Sequence, residues 1–403
     1  MSATDGTVTR RRVFYIPGFD PYPPRRYREL YRSEGAKQAA LSGYRIGIKA
    51  RTGKAGYSWV VKSEQDGAHV QTRYDVLVWH DLVQGSMDQS IPGTYRQLVQ
   101  TAWIYITSGA FRRLTWLRKG PVIAALYPIA VLLGQLMLAI AAALIVTRVV
   151  SGLTWAYVGL IAGLPLFVWL MRQFRARDHK FFAYYLMHDY AFAASRKGAN
   201  PPELEARLRV FADRIRSALQ SDVDEVLIVG HSSGTQLAVN ILADLDRAGD
   251  LKRGGPAVGL LTLGQVIPMV SFLPNAMRLR ADLAHLSMCT NLFWLDVSAP
   301  GDGCAFALCD PVAMTGVRQD PKYWPLVISA AFSQTLKPQT WERLKRRYFR
   351  LHFQYLCAFD NVGDYDFFRI SAGPLTLARR FRDRAPSKSR IDVPASPYRS
   401  MVR

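Results

Sequence analysis

The sequence predicts an α/β protein: a mostly parallel sheet flanked by helices and interrupted by a two-helix transmembrane hairpin. Three observations carry this expectation. Short apolar β-type runs alternate with amphipathic stretches of helical spacing. Two mid-chain runs, 120–147 and 149–171, contain no charged residue. A serine between glycines at 230–234 stands where an apolar run meets an amphipathic one.

Val13-Phe14-Tyr15-Ile16 is a β-rich run closed by Pro17-Gly18, a strand followed by a turn. Residues 25–41 read as a helix. Segments 44–49, 57–62 and 69–74 are short β-type runs split by Gly and charged turns, as in a meander. Asp75-Val76-Leu77-Val78-Trp79 is continuous enough for a strand buried on both faces. A helix is expected around 94–107, and another in the aromatic-rich stretch 178–195. Asn200-Pro201-Pro202-Glu203 reads as a capped helix start, followed by Leu204, Leu208, Phe211, Ile215 and Leu219 along one face. Residues 226–229, 258–263 and 292–297 are further strands, with helices at 236–246 and 277–286. No internal repeat is visible. The tail 385–403, rich in Pro, Ser and Arg, is expected to be disordered.

A membrane helix needs about 20 apolar residues, and both charge-free runs exceed that. Arg148, Ser151 and Gly152 would make the turn between them. Pro128 and Pro165 fall inside the spans, where membrane helices tolerate proline. Arg112, Arg113, Arg118 and Lys119 precede the first span; Arg172, Arg175, Arg177 and Lys180 follow the second. Positive flanks stay cytoplasmic, so both termini and the polar portions are expected on the cytoplasmic side of a two-span membrane protein. The apolar run after the N-terminal arginines is too short for a secretion signal. The expected organisation is therefore 1–111 and 181–384 as two parts of one domain, 112–180 as the hairpin with basic flanks, and 385–403 as the tail.

The 403 residues carry a formal charge of +21. Anionic headgroups of membrane lipids are the natural partner of that surplus. The basic residues are scattered and accompanied by no nucleic-acid motif, so no nucleic-acid partner is expected. Four cysteines, Cys289, Cys304, Cys309 and Cys357, fit neither a disulfide scaffold nor a zinc spacing. No motif for a metal or cofactor appears. The stretches Lys345-Arg346-Arg347 and Arg379-Arg380-Phe381-Arg382 read as solvated helix faces, with membrane contact as the second reading.

Gly230-His231-Ser232-Ser233-Gly234 is G-x-S-x-G directly after a strand and before a helix. Glycines there let the backbone turn tightly enough to lift the serine oxygen above the sheet edge. The following helix aims its amide end at any anion formed there. In this motif and context the sequence resembles the α/β-hydrolase family of lipases and esterases, over roughly 12–100 and 200–370.

The resemblance implies an α/β-hydrolase-like fold and a serine esterase acting on acyl esters. The hairpin, inserted between Trp79 and Val226 where the family's active-site mouth lies, makes it membrane-anchored with lipid esters as the expected substrate, and no cofactor is expected. It implies Ser232 as nucleophile and the amide of Ser233 as half of an oxyanion hole. The other half falls to the loop Ile16-Pro17-Gly18-Phe19-Asp20, to Gly18 or Phe19. His352, after the β-like run 348–351, is favoured as base over His285, which sits on an expected helix. Asp302, in the loop past the strand 292–297, is favoured as the acid, with Asp296 and Asp310 open. His231 is read as structural. The rival reading is a non-catalytic membrane-bound binding or scaffold protein on the same fold.

Overall fold

The computed structural model describes residues 6–51, 57–87, 89–153 and 155–402. The turn expected at 52–56, residues 1–5 of the N-terminal reading, and Arg403 lie outside them. Strands β1 (Arg10–Ile16), β2 (Arg45–Arg51), β3 (Ser58–Gln65), β4 (Ala68–Val76), β5 (Glu225–His231), β6 (Ala257–Leu263), β7 (Phe293–Ser298) and β8 (Leu326–Ser329) form one sheet. Their order is β2-β3-β4-β1-β5-β6-β7-β8. The β2-β3-β4 meander is antiparallel, and every pairing from β4 through β8 is parallel.

Alternation within the strands explains why both faces are covered. Val13, Tyr15, Leu227 and Val229 enter the core on one face; Phe14, Ile16, Val226 and Ile228 enter the core on the other. Strands apolar at both parities must be packed on both sides. The segments expected separately at 69–74 and 75–79 are one strand, β4, whose ladder ends at Val76. Strand β8 carries no signal that the sequence reading recognised. It is four residues long.

Helices alternate with the strands. The first part contributes α1 (Arg25–Ser42), α2 (His80–Met87), α3 (Ile91–Thr107) and α4 (Ala110–Leu117). Two long helices follow, α5 (Lys119–Leu153) and α6 (Ala156–Ala176), both apolar enough and long enough to cross a membrane. Then come α7 (Asp178–Phe181), α8 (Ala183–Ala194), α9 (Pro202–Leu219) and α10 (Gly234–Arg247). The second part adds α11 (Pro268–Ser271), α12 (Met277–Met288), α13 (Pro311–Thr315), α14 (Phe332–Thr335), α15 (Pro338–Leu344) and α16 (Tyr348–His352). Two local expectations need correction. Arg148, Ser151 and Gly152 are helical, so α5 runs on to Leu153. Helix α9 starts at Pro202 with Pro201 as its cap, and the Asn200 amide binds Glu205 and Asn240 instead.

Small residues let α5 and α6 approach. Gly159 and Gly163, spaced as G-x-x-x-G, lie against Ser151, Thr147 and Ala143, and the Thr147 hydroxyl donates to the Gly159 carbonyl at 3.1 Å. The first half of α5 leans on the rest of the protein: the Tyr95 hydroxyl of α3 donates to the Leu132 carbonyl at 2.7 Å, and Leu132 is fully buried with Leu98, Tyr184 and Met187.

The tail is ordered, contrary to the compositional expectation. Ile391 exchanges backbone hydrogen bonds with Leu308 and Asp310, and Ala395 and Ser396 donate to the Met314 carbonyl. The buried Arg280 guanidinium reaches the Ser400 carbonyl at 2.7 Å. Composition spoke for disorder, but these long-range bonds fix the segment.

Candidate active site

The sheet changes winding direction between β1 and β5: the chain proceeds from β1 toward β4 on one side and from β5 toward β8 on the other. Loops at the carboxyl ends of the two strands flanking such a switch point diverge and leave a crevice. Gly18 and Phe19 follow β1, and Ser232 directly follows β5. They meet there.

Ser232 has φ +55°, a left-handed conformation that costs a non-glycine residue energy and must be enforced by its surroundings. The flanking glycines show how. A Cβ at Gly230 would lie 2.8 Å from the Thr235 Cα, and one at Gly234 would collide with the carbonyls of Ile16 and Pro17. The Ser232 amide donates to Leu263 at 2.9 Å, and its carbonyl accepts from Thr235. Gly18 packs on the serine itself: a Cβ there would stand 3.0 Å from the Ser232 Cβ and 3.4 Å from its Oγ.

His352 ends α16, a helix rather than the expected β-like run. Its Nδ1 donates to Asp302 at 2.7 Å. Asp302, in the loop after β7, also accepts from the Tyr355 hydroxyl at 2.9 Å and the Cys304 amide at 2.9 Å. Burial pushes the Asp302 carboxyl up, but the charge and hydrogen bond of His352, with the Cys304 and Tyr355 donors, outweigh it and hold it below its usual range. With Nδ1 engaged, Nε2 is the ring nitrogen left buried without a hydrogen-bond partner. The neighbouring His231 donates its Nε2–H to the His352 carbonyl at 3.0 Å, tying the ring of one to the backbone of the other.

The remaining candidates sit elsewhere. His285 pairs with Asp246 at 2.8 Å. Asp296 is buried within β7 and accepts from Thr262 at 2.6 Å; burial pushes it up to about 7. Asp310 caps α13 and pairs with Lys322 at 2.7 Å. Of Gly18, Phe19 and Ser233, the Phe19 amide is engaged, donating to the Ser233 hydroxyl at 2.8 Å. The loop is held by Trp79, whose indole N–H donates to the Pro17 carbonyl at 3.0 Å, and by Tyr185, which donates to the Phe19 carbonyl.

Ser232 and His352 line one cavity of about 830 Å³. Its walls are apolar and aromatic, including Trp79, Tyr185, Phe192 and Phe349. Gly120, Pro121, Ile123, Ala124 and Tyr127 of α5 form part of the same wall. Sequence reasoning did not anticipate Tyr355, Gly264 or Asp189. Tyr355 carries no motif. Gly264 has φ +53° and lets the His352 and Tyr355 rings pass close to the end of β6. Asp189 of α8 lines the cavity, and burial pushes its carboxyl up to about 7, partly countered by His352.

Among the described residues, Asp302, Cys304 and His352 form the cluster with metal-ligating atoms within 4.8 Å of one another. The Asp302 and His352 atoms bond each other, and burial raises the Cys304 thiol, so the set lacks the free anionic donors a metal selects. Comparison with protein-family models, curated proteins and solved structures yields no match for this chain.

Proposed function

We propose that the protein is a membrane-anchored serine hydrolase of the α/β-hydrolase type that cleaves lipid acyl esters at the cytoplasmic face. The observation that carries the reading is one cavity lined by three things: Ser232 in a strained turn, His352 with Asp302 bonded behind it, and the wall supplied by α5. A hairpin that served solely as an anchor would have no reason to line the cavity of the nucleophile.

In this scheme the Ser232 oxygen attacks the ester carbonyl carbon while its proton passes to His352 Nε2. The carbonyl oxygen becomes an oxyanion facing the amides of Ser233 and Gly18. Collapse breaks the bond to the alcohol, which leaves with the proton from Nε2. Water then attacks the acyl-serine, gives a proton to Nε2, and releases the fatty acid as Ser232 regains its hydrogen. Asp302 keeps Nδ1 protonated and balances the imidazolium. Ser232 and His352 are not hydrogen-bonded to each other, a looseness common before substrate arrives.

Membrane seating has a second support. Val99, Trp103 and Ile106 share one face of α3 and are 66%, 69% and 65% exposed, and Trp116 of α4 is 69% exposed. Indole rings favour the bilayer interface. The test is labelling with a fluorophosphonate probe. Wild type reacts and Ser232→Ala does not; equal labelling of both removes the nucleophile, and no labelling of either leaves the scaffold reading. An ester series in liposomes should favour long chains, and a preference for acetyl or butyryl esters overturns the lipid assignment.

A further inference from the structure

Lys180 at the end of α7 and Arg346, Arg347 and Arg350 around the start of α16 line the Ser232 cavity from two separate segments. All four are exposed, whereas His352 is buried, so they mark the open end of the cavity. Among the described residues none of the four forms an ion pair, although neighbouring cations do: Lys345 pairs with Glu342, and Arg26, deeper in the cavity, with Asp20. Like charges gathered without a counter-charge repel each other, and a bound anion relieves that repulsion. Three of the four are arginines, whose planar fork matches the oxygens of a phosphate.

We infer that this rim seats the phosphate-bearing headgroup of the ester whose acyl chain enters the cavity. The inference rests on the acyl-ester reading of that cavity and adds the substrate class: an anionic phospholipid rather than a neutral glyceride. Most of the cavity lining is apolar and the four cations are its exposed members, which suits an amphiphile entering with its charge outermost.

The test measures binding of two uncleavable single-chain ether lipids, one with a phosphate headgroup and one with neutral glycerol. Both are presented in micelles of neutral detergent, so no surface charge contributes. Wild type should bind the phosphate lipid at least about tenfold more tightly, the scale of one charge-assisted contact. Arg346→Gln with Arg350→Gln should abolish most of that preference. Lys252→Gln with Arg253→Gln, an equal charge loss at an exposed loop outside the cavity, should preserve it. Equal binding of both lipids by wild type, or an unaltered preference in the rim variant, overturns the proposal. Inorganic phosphate alone binding more tightly than the phosphate lipid would make free phosphate the ligand and overturn the headgroup assignment. Because the lipids are uncleavable, these outcomes are read independently of whether Ser232 reacts with the fluorophosphonate.

Discussion

His231 lies with its ring centroid 4.7 Å from that of His352 and donates to the His352 carbonyl, so the residue preceding Ser232 carries the loop that presents the candidate base. Burial, reinforced by the charge of His352, pushes His231 down to about 3. In the unfolded chain the same imidazole takes up a proton near pH 6.5. The unfolded state therefore binds more protons between those values, and stability falls as pH drops from 6.5 toward 3. His188, lowered to about 4 chiefly by burial, acts in the same direction. Asp189 and Asp296, raised to about 7 by burial, act in the opposite direction. The test is therefore a difference: in thermal melts from pH 7 to 3.5 wild type should lose stability relative to His231→Gln. An unchanged slope would remove His231 from the account.

Gly264 tests the support of the base. A Cβ there would stand 2.9 Å from His352 Cε1 and 2.7 Å from the Tyr355 ring, in a backbone conformation that already disfavours a side chain. Gly264→Ala should slow fluorophosphonate labelling by about 10²-fold, in the range of losing a positioned base. A labelling rate equal to wild type would show that the ring moves without consequence.

Tyr355 acts through Asp302 and is a positioning residue. Its hydroxyl donates to the carboxylate and accepts from the Ala299 amide at 3.0 Å. Tyr355→Phe removes a donor from the ionised acid and leaves a buried amide unpaired, costing about 1–3 kcal/mol of stability. The lost hydrogen bond also raises the Asp302 pKa, so the acidic limb of the pH–rate profile should move upward. Loss of stability with an unmoved profile would assign Tyr355 a packing role alone.

The buried pair of Arg11 and Glu225, 2.5 Å apart, joins the sheet to the segment after residue 372. Arg11 also donates to the carbonyls of Gly373 and Leu375, and Glu225 accepts from the Leu377 amide. Arg11→Met strands a carboxylate in the core and should cost about 3–5 kcal/mol in urea unfolding. Adding Glu225→Leu should recover part of that loss. No recovery would place the whole cost in the backbone carbonyls.

Most strands and the Gly230–Gly234 turn were legible because their signals are local: an apolar run, bracketing glycines, a change of periodicity. The serine turn at 230–234 needs nothing distant to be recognised. His352 was reached from chain order, but its helix was misread, since Tyr348-Phe349-Arg350-Leu351 is too short to reveal its period. Tyr355, Gly264 and Asp189 matter through partners about 50 to 160 residues away, and no window of sequence contains both members of such a pair. The hairpin turn was misplaced because Ser and Gly at 151–152 look like a turn, yet here both continue α5 and Ser151 lies against Gly159 of α6.

The ordered tail has a consequence for the timing of synthesis. Residues 387–400 hold the loop that follows β7: Ile391 grips Leu308 and Asp310, and Arg280 reaches Ser400. Asp302 lies in that loop, six residues before Leu308. A nascent chain emerges from its N-terminal end, so the two long helices, the serine turn and His352 are all made before the strap that fastens the Asp302 loop. The two long apolar helices thus emerge while that loop is still without the contacts that tether it in the folded chain.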